Sequence, residues 1–120
     1  MTKSEVQHIR WSDVPVEKVN PLFERQLVVG DKVMVAHILL KKDCVVPLHH
    51  HVNEQISYVE SGSMKFTIDG QEIIVRAGEF LCIPPDVPHT AVALEDFVGV
   101  DIFTPPREDW LNKTDTYLRG

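Results

Sequence analysis

Apolar and polar residues alternate in short runs along most of the chain, and no long segment repeats every 3.6 residues. Alternation with a period of two is typical of β-strands that bury one face. Glycine, proline or charged residues interrupt the runs at intervals of roughly eight to twelve residues, as in small barrels and sandwiches. The predicted strands are 25–29, 32–40, 45–51, 55–60, 63–68, 71–76, 80–83, 90–94 and 98–103, with a further short one at 6–10.

Two connections between these strands have distinctive chemistry. Ser63–Ile68 and Gln71–Arg76 flank Asp69-Gly70, the pair that a type I′ hairpin turn favours. Between 84 and 88, three of five residues are prolines, which lack an amide hydrogen and exclude a central strand. We therefore predict a hairpin at the first connection, and at the second a rigid connector that delivers His89.

Length and charge limit the kinds of partner. A chain of 120 residues predicts one domain, with an arm at 1–24, a barrel at 25–112 and a tail at 113–120. A net charge of −6 and a pI of about 5.4 argue against nucleic acid or an anionic membrane as partner. No apolar run is long enough to span a membrane, and residues 1–5 lack the apolar core of a signal peptide. We expect a cytoplasmic protein.

Three consecutive histidines, followed by a glutamine, suggest a metal site. In an extended segment His49, His51 and Gln55 share one face, whereas His50 points the other way. Two imidazoles at this spacing make half of a metal site, and His89 is the candidate for a third ligand. The alternative is a solvated loop that binds nothing.

A second group of candidate residues follows in the last predicted strand. Asp101 lies among apolar residues, where a carboxylate is costly unless it is paired or functional; it is either a general acid/base facing the interior or a charge in a salt bridge or at the barrel mouth. Arg107 can hold a substrate carboxylate through two hydrogen bonds, or it can pair in solvent with Glu108 and Asp109. Phe103 shares the face of Asp101 and either walls a sugar pocket or packs in the core.

Two motifs resemble those of the cupin superfamily. The first is His49-x-His51-x3-Gln55-x6-Gly62, with glutamine where that motif usually has glutamate. The second is Gly78-x5-Pro84-x4-His89, which departs at Asp86 and Ala93 from its usual glycine and asparagine. The resemblance implies a single-domain all-β cupin, a double-stranded β-helix or jelly-roll barrel of roughly nine to eleven strands.

Longer stretches resemble the KdgF-type pectin-degradation proteins, small cupins that open and ketonise unsaturated monouronates. These stretches are 51–62, 66–68, 83–89, 93–96 and 101–109. The resemblance implies a homodimer, a sugar acid as partner and one divalent ion (nickel, zinc, manganese or iron). It also implies metal binding by His49, His51, Gln55 and His89, and action on the substrate by Asp101 and Arg107.

The ligand set bears on the kind of reaction. Four neutral ligands leave the full charge on a divalent ion, which suits polarisation of oxygens more than one-electron oxygen chemistry. A metal-dependent isomerase of unsaturated uronates is therefore the leading hypothesis. A non-catalytic cupin that binds or senses a small ligand, and a cupin dioxygenase, are the alternatives, and turnover with or without oxygen distinguishes the three.

Overall fold

The structure, a computed structural model, describes residues 5–119, and these contain ten strands and little helix. The strands are β1 Glu17–Asn20, β2 Phe23–Val29, β3 Met34–Leu40, β4 Val45–His49, β5 Glu54–Ser61, β6 Ser63–Ile68, β7 Gln71–Arg76, β8 Phe80–Ile83, β9 His89–Ala93 and β10 Phe97–Thr104. A single helical turn at Trp11–Asp13 precedes them, and α1 Glu108–Leu111 and α2 Thr116–Arg119 follow. None of these helices is long and apolar enough to cross a membrane.

The strands form two antiparallel sheets. One has the order β1-β2-β3-β10-β5-β8 and the other the order β4-β9-β6-β7. β10, near the end of the chain, lies between β3 and β5, so that Asp101 is opposite Ala36 on one side and Ser57 on the other. This arrangement confirms the predicted all-β jelly-roll fold.

The alternating pattern accounts for the core between the sheets. Along β3 every second residue is buried, and the inward positions are Met34, Ala36, Ile38 and Leu40. On the paired strands β5 and β10 the inward row includes the polar residues Gln55, Ser57 and Asp101 among apolar ones. Polar groups therefore enter the interior from two adjacent central strands.

Two glycine-containing turns fix the path of the chain. At the predicted hairpin, Asp69 and Gly70 have φ of 52° and 75°, the positive values that a type I′ turn requires, which confirms that prediction. Gly62, between β5 and β6, has φ of 81°, and a Cβ there would lie 2.2 Å from the carbonyl oxygen of Asp96. Only glycine fits this position without moving the backbone.

The segments before and after the predicted barrel both contact it. The predicted strand at 6–10 is wrong, because this segment has no regular secondary structure and pairs with no sheet edge. The helical turn that follows it is held by the amide of Gln26, which donates to the carbonyls of Trp11 and Val14. Within the predicted arm, β1 pairs with β2. Within the predicted tail, α2 packs against β1 and β4.

A charged network holds α2 in this position. Arg25, which is 0% exposed, pairs with Asp115 at 2.8 Å and with Glu17 at 3.0 Å. Arg119 in turn pairs with Asp115 at 2.8 Å and also with Glu17. Because each buried charge has an opposite partner, the network fixes the last helix against the first strand.

Candidate metal and substrate site

The three histidines at the strand ends converge on one point. His49 ends β4, His89 begins β9 opposite it, and His51 follows two residues after His49. One ligand nitrogen from each of the three lies within 4.8 Å of the others. The side chain of His50 is 65% exposed and faces Asp86 at 3.9 Å. The structure thus brings together the three histidines that the sequence selects and leaves His50 outside.

Each of the three rings is oriented by a backbone carbonyl. The Nδ1 contacts run from His49 to Pro47 (2.7 Å), from His51 to Asn53 (3.0 Å) and from His89 to Val87 (2.8 Å). Such a contact is a hydrogen bond only when Nδ1 carries the proton, which leaves the Nε2 lone pair free. This carbonyl–imidazole arrangement is the one that orients histidine ligands in metal sites.

Burial keeps the three imidazoles neutral. Desolvation lowers the pKa of His49 to about 3 and that of His51 to about 4. Desolvation also lowers the pKa of His89, and the Arg107 guanidinium adds to this effect at all three rings. At neutral pH the rings therefore have the uncharged form that metal binding requires.

Gln55 presents its carbonyl oxygen to this cluster. Its Nε2 donates to the Ser57 hydroxyl at 2.9 Å, and both side chains are buried, which fixes the orientation of the amide. Its Oε1 then lies 3.1 Å from Nε2 of His51. A neutral His51 carries a proton on only one ring nitrogen. If Nδ1 is protonated, the bare Nε2 faces the Gln55 oxygen; if Nε2 is protonated, the bare Nδ1 faces the Asn53 carbonyl. A cation between these lone pairs relieves the repulsion, so the donor set fits a divalent ion.

Asp101 lies across the same cavity. It is half-buried, lines the space between the sheets, and makes no ion pair within residues 5–119. Burial raises the pKa of Asp101 to about 6, against the opposing effects of the Ser57 hydroxyl and the Arg107 guanidinium. A carboxyl with this pKa can take up and release a proton near neutral pH.

Arg107 combines features of both sequence interpretations. It pairs with Asp109 through Nε at 2.9 Å and Nη2 at 2.7 Å, yet it is only 1% exposed. Its Nη1 is buried and has no partner in the described part of the chain. Phe103, 1% exposed, lies under the guanidinium at 5.1 Å and lines the cavity, so it serves both the core and the pocket wall.

Two further residues of the site were not predicted. Ser57 shares the inward row of β5 with Gln55, so its polar character in a buried register was the available signal. Tyr117 lies on α2, and its ring stacks on His49 with centroids 4.5 Å apart. A four-residue helix carries no hydrophobic period, and no local pattern indicates that Tyr117 reaches the cavity.

Comparison with known proteins points to one family. The sequence model of the family described as "Cupin domain" matches residues 36–103, more than half of the chain. The pectin degradation protein KdgF of Dickeya dadantii is 28% identical over 102 residues, which cover 82% of this chain and 93% of that protein.

Solved structures agree with the sequence comparison. KdgF from Halomonas sp. has 25% identity and a TM-score of 0.83, covering 88% of this chain and 99% of that one. An RmlC-like cupin from Shewanella frigidimarina has 26% identity and a TM-score of 0.83, covering 91% and 99%. These matches confirm the resemblance seen in the sequence motifs.

Proposed function

The chain belongs to the cupin domain family, and from this premise we propose that it is a metal-dependent isomerase of unsaturated sugar acids. One observation carries the proposal: His49, His89 and the amide of Gln55 line the same cavity as a carboxyl whose pKa is about 6, and His51 completes the histidine cluster beside them. Similarity to the KdgF proteins supports a uronate as the substrate class. The proposed enzyme is a homodimer, by its similarity to other small cupins.

The metal would be held by His49, His51, His89 and the Oε1 atom of Gln55. When bound, a divalent ion with these neutral ligands supplies Lewis-acid polarisation of substrate oxygens without a change of oxidation state. The carbonyl contacts at Nδ1 of the three histidines fix the ring orientations and leave the Nε2 atoms free for the ion. This reduces the reorganisation that metal binding needs.

Asp101 acts as the base in the proposed reaction. It takes the proton of the anomeric hydroxyl, whose oxygen then forms a carbonyl as the bond from the anomeric carbon to the ring oxygen breaks. The ring oxygen leaves as the oxygen of an enolate. Asp101 then returns the same proton to the neighbouring alkene carbon, which converts the enolate to a ketone, so that substrate and product are isomers. Arg107 holds the substrate carboxylate through Nη1, and Phe103 excludes water from one side of the pocket.

The test is turnover of an unsaturated monouronate by metal-loaded protein in the absence of oxygen. Turnover is measured as loss of the alkene signal in the proton NMR spectrum. Asp101→Asn keeps the shape of the side chain and should lower turnover by roughly 10²–10⁴, as expected for a positioned acid/base. Asp69→Asn, an exposed aspartate in the hairpin turn, is the matched control and should be unaffected.

Two outcomes would contradict this proposal. Binding of uronates without conversion, whichever divalent ion is supplied, would favour a sensing role. Turnover that depends on oxygen would favour a dioxygenase.

A further inference from the structure

We propose that Tyr117 is a substrate-contacting residue that forms, together with Nη1 of Arg107, a receptor for the carboxylate group of the sugar acid. The inference rests on the proposed function and extends it to α2, a part of the chain outside the cupin motifs. Both side chains line the cavity that also contains His49 and Asp101.

Hydrogen-bond counting at the Tyr117 hydroxyl is the first argument. The oxygen accepts one bond from Nη2 of Arg107 at 2.8 Å and another from Nε1 of Trp110 at 3.0 Å. Guanidinium and indole nitrogens are donors only, so both lone pairs of the hydroxyl oxygen are in use. The hydroxyl can still donate its own hydrogen, and none of residues 5–119 accepts it.

The second argument is the unpaired nitrogen of Arg107. Nη1 is the one buried side-chain polar atom among residues 5–119 without a hydrogen-bond partner. A buried donor left unpaired is costly, so such a group in a native protein calls for a specific explanation, of which a functional role is one. Arg107 Nη2 bonds the Tyr117 oxygen, so the two free donors belong to neighbouring groups of one network.

The chemistry of these donors selects an anionic oxygen ligand. Neither group has a free lone pair, so both can only donate hydrogen bonds. Together they bind a ligand whose oxygens accept hydrogen bonds and do not bind one that can only donate them. One of the two is a guanidinium, which binds carboxylates through short, charge-assisted bonds. Tyr117 is also held firmly, since its ring stacks on His49 and the Arg25–Asp115 pair fixes the start of α2. A rigid donor loses little entropy when the ligand binds.

The test compares Tyr117→Phe with Tyr58→Phe in zinc-loaded protein. Tyr117→Phe keeps the aromatic ring on His49 and removes only the hydroxyl. Tyr58 is the chain's other tyrosine and stacks on Phe80, away from the site, so it provides the matched control. The probes are galacturonate, which carries the carboxylate, and galactose, which lacks it, both measured by calorimetry.

We expect Tyr117→Phe to weaken galacturonate binding by roughly tenfold to a hundredfold, the value of one hydrogen bond to a charged group. Galactose binding and zinc affinity, the latter from chelator competition, should stay within about threefold because the lost hydroxyl contacts neither. With an unsaturated uronate as substrate, KM should rise by a similar factor while kcat changes much less.

A spectroscopic measurement covers the case in which Tyr117→Phe folds poorly. In Tyr58→Phe protein Tyr117 is the only tyrosine, so the tyrosine bands of an ultraviolet resonance Raman difference spectrum, which are resolved from those of tryptophan, report on Tyr117 when galacturonate is added. Three results would each overturn the proposed receptor. They are unchanged galacturonate binding in Tyr117→Phe, absence of the spectral change, and equal affinity of the parent protein for galactose and galacturonate. Carboxylate-selective binding without turnover would support the receptor and contradict the isomerase. Turnover that is the same in parent and Tyr117→Phe would support the isomerase and contradict the receptor.

Discussion

Replacing Asp101 with asparagine should make the metal-free protein more stable at neutral pH, because the carboxylate is held where its charge is poorly solvated. Burial raises the pKa of Asp101 from 3.8 to about 6. Since a tenfold change in an ionisation constant corresponds to about 1.4 kcal/mol, this rise amounts to a penalty of at most about 3 kcal/mol on the ionised folded state. Asparagine is never charged, and its amide can still meet the Ser57 hydroxyl.

The sign of this effect depends on pH. A carboxyl whose pKa is raised on folding contributes no penalty below its unfolded value, and stability is lost as the pH rises through the folded value. The free energy of unfolding should therefore be similar for parent and variant near pH 4. Near pH 7.5 the variant should be more stable by up to about 3 kcal/mol, or about 10 °C in melting temperature for a chain of this size.

The assay is urea unfolding of chelated protein at several pH values between about 4 and 7.5, with Asp69→Asn as control. Chelation matters because a nearby cation would stabilise the carboxylate and hide the effect. Other titrating groups, including the buried histidines, are common to both proteins and cancel in the difference. A difference that does not change with pH, or a variant less stable than the parent at pH 7.5, would refute the reasoning.

Two further predictions concern the metal and a turn. Chelation should abolish turnover yet leave β-type circular dichroism and a cooperative melt, because apolar side chains from both sheets form the core; loss of the fold would make the metal structural. Gly62→Ala should destabilise the protein by roughly 2–4 kcal/mol, since φ is 81° and the new Cβ would lie 2.2 Å from the Asp96 carbonyl oxygen. Gly70→Ala, with φ of 75° but no atom within 4 Å, should cost only about 1–2 kcal/mol, and equal melting temperatures for the two would contradict the steric argument.

The sequence predicts the parts of this molecule that local chemistry determines. Alternation of apolar and polar residues predicts the strands, and Asp69-Gly70 predicts the hairpin. The proline-rich connector predicts that His89 follows a rigid turn, and the structure places it beside His49. Strand pairing and a rigid connector explain why His89 meets His49. The predicted strand 45–51 is too long, because β4 ends at His49 and Gln55 lies on a strand of the other sheet. The approach of His51 and Gln55 therefore depends on the connection between the sheets and not on one shared strand face.

The position of Tyr117 depends on interactions between distant segments and is therefore hidden in the sequence. The Arg25–Asp115 pair that holds α2 joins residues 90 positions apart, and no pattern within a short window encodes it. Arg107 illustrates the same limit. Its pairing with Asp109 is local and was one of two predicted alternatives, whereas its burial depends on packing against Phe103 and Trp110.

The central place of β10 makes completion of the cavity depend on pairing between segments that are distant in the chain. The β6–β7 hairpin joins neighbouring residues and can form within microseconds. β10 instead inserts between two strands from much earlier in the chain, a step that must first overcome a large loop-closure entropy. The same step brings Asp101 and Phe103 beside Ser57 and Gln55. The polar side of the cavity is therefore complete only after this long-range pairing has formed.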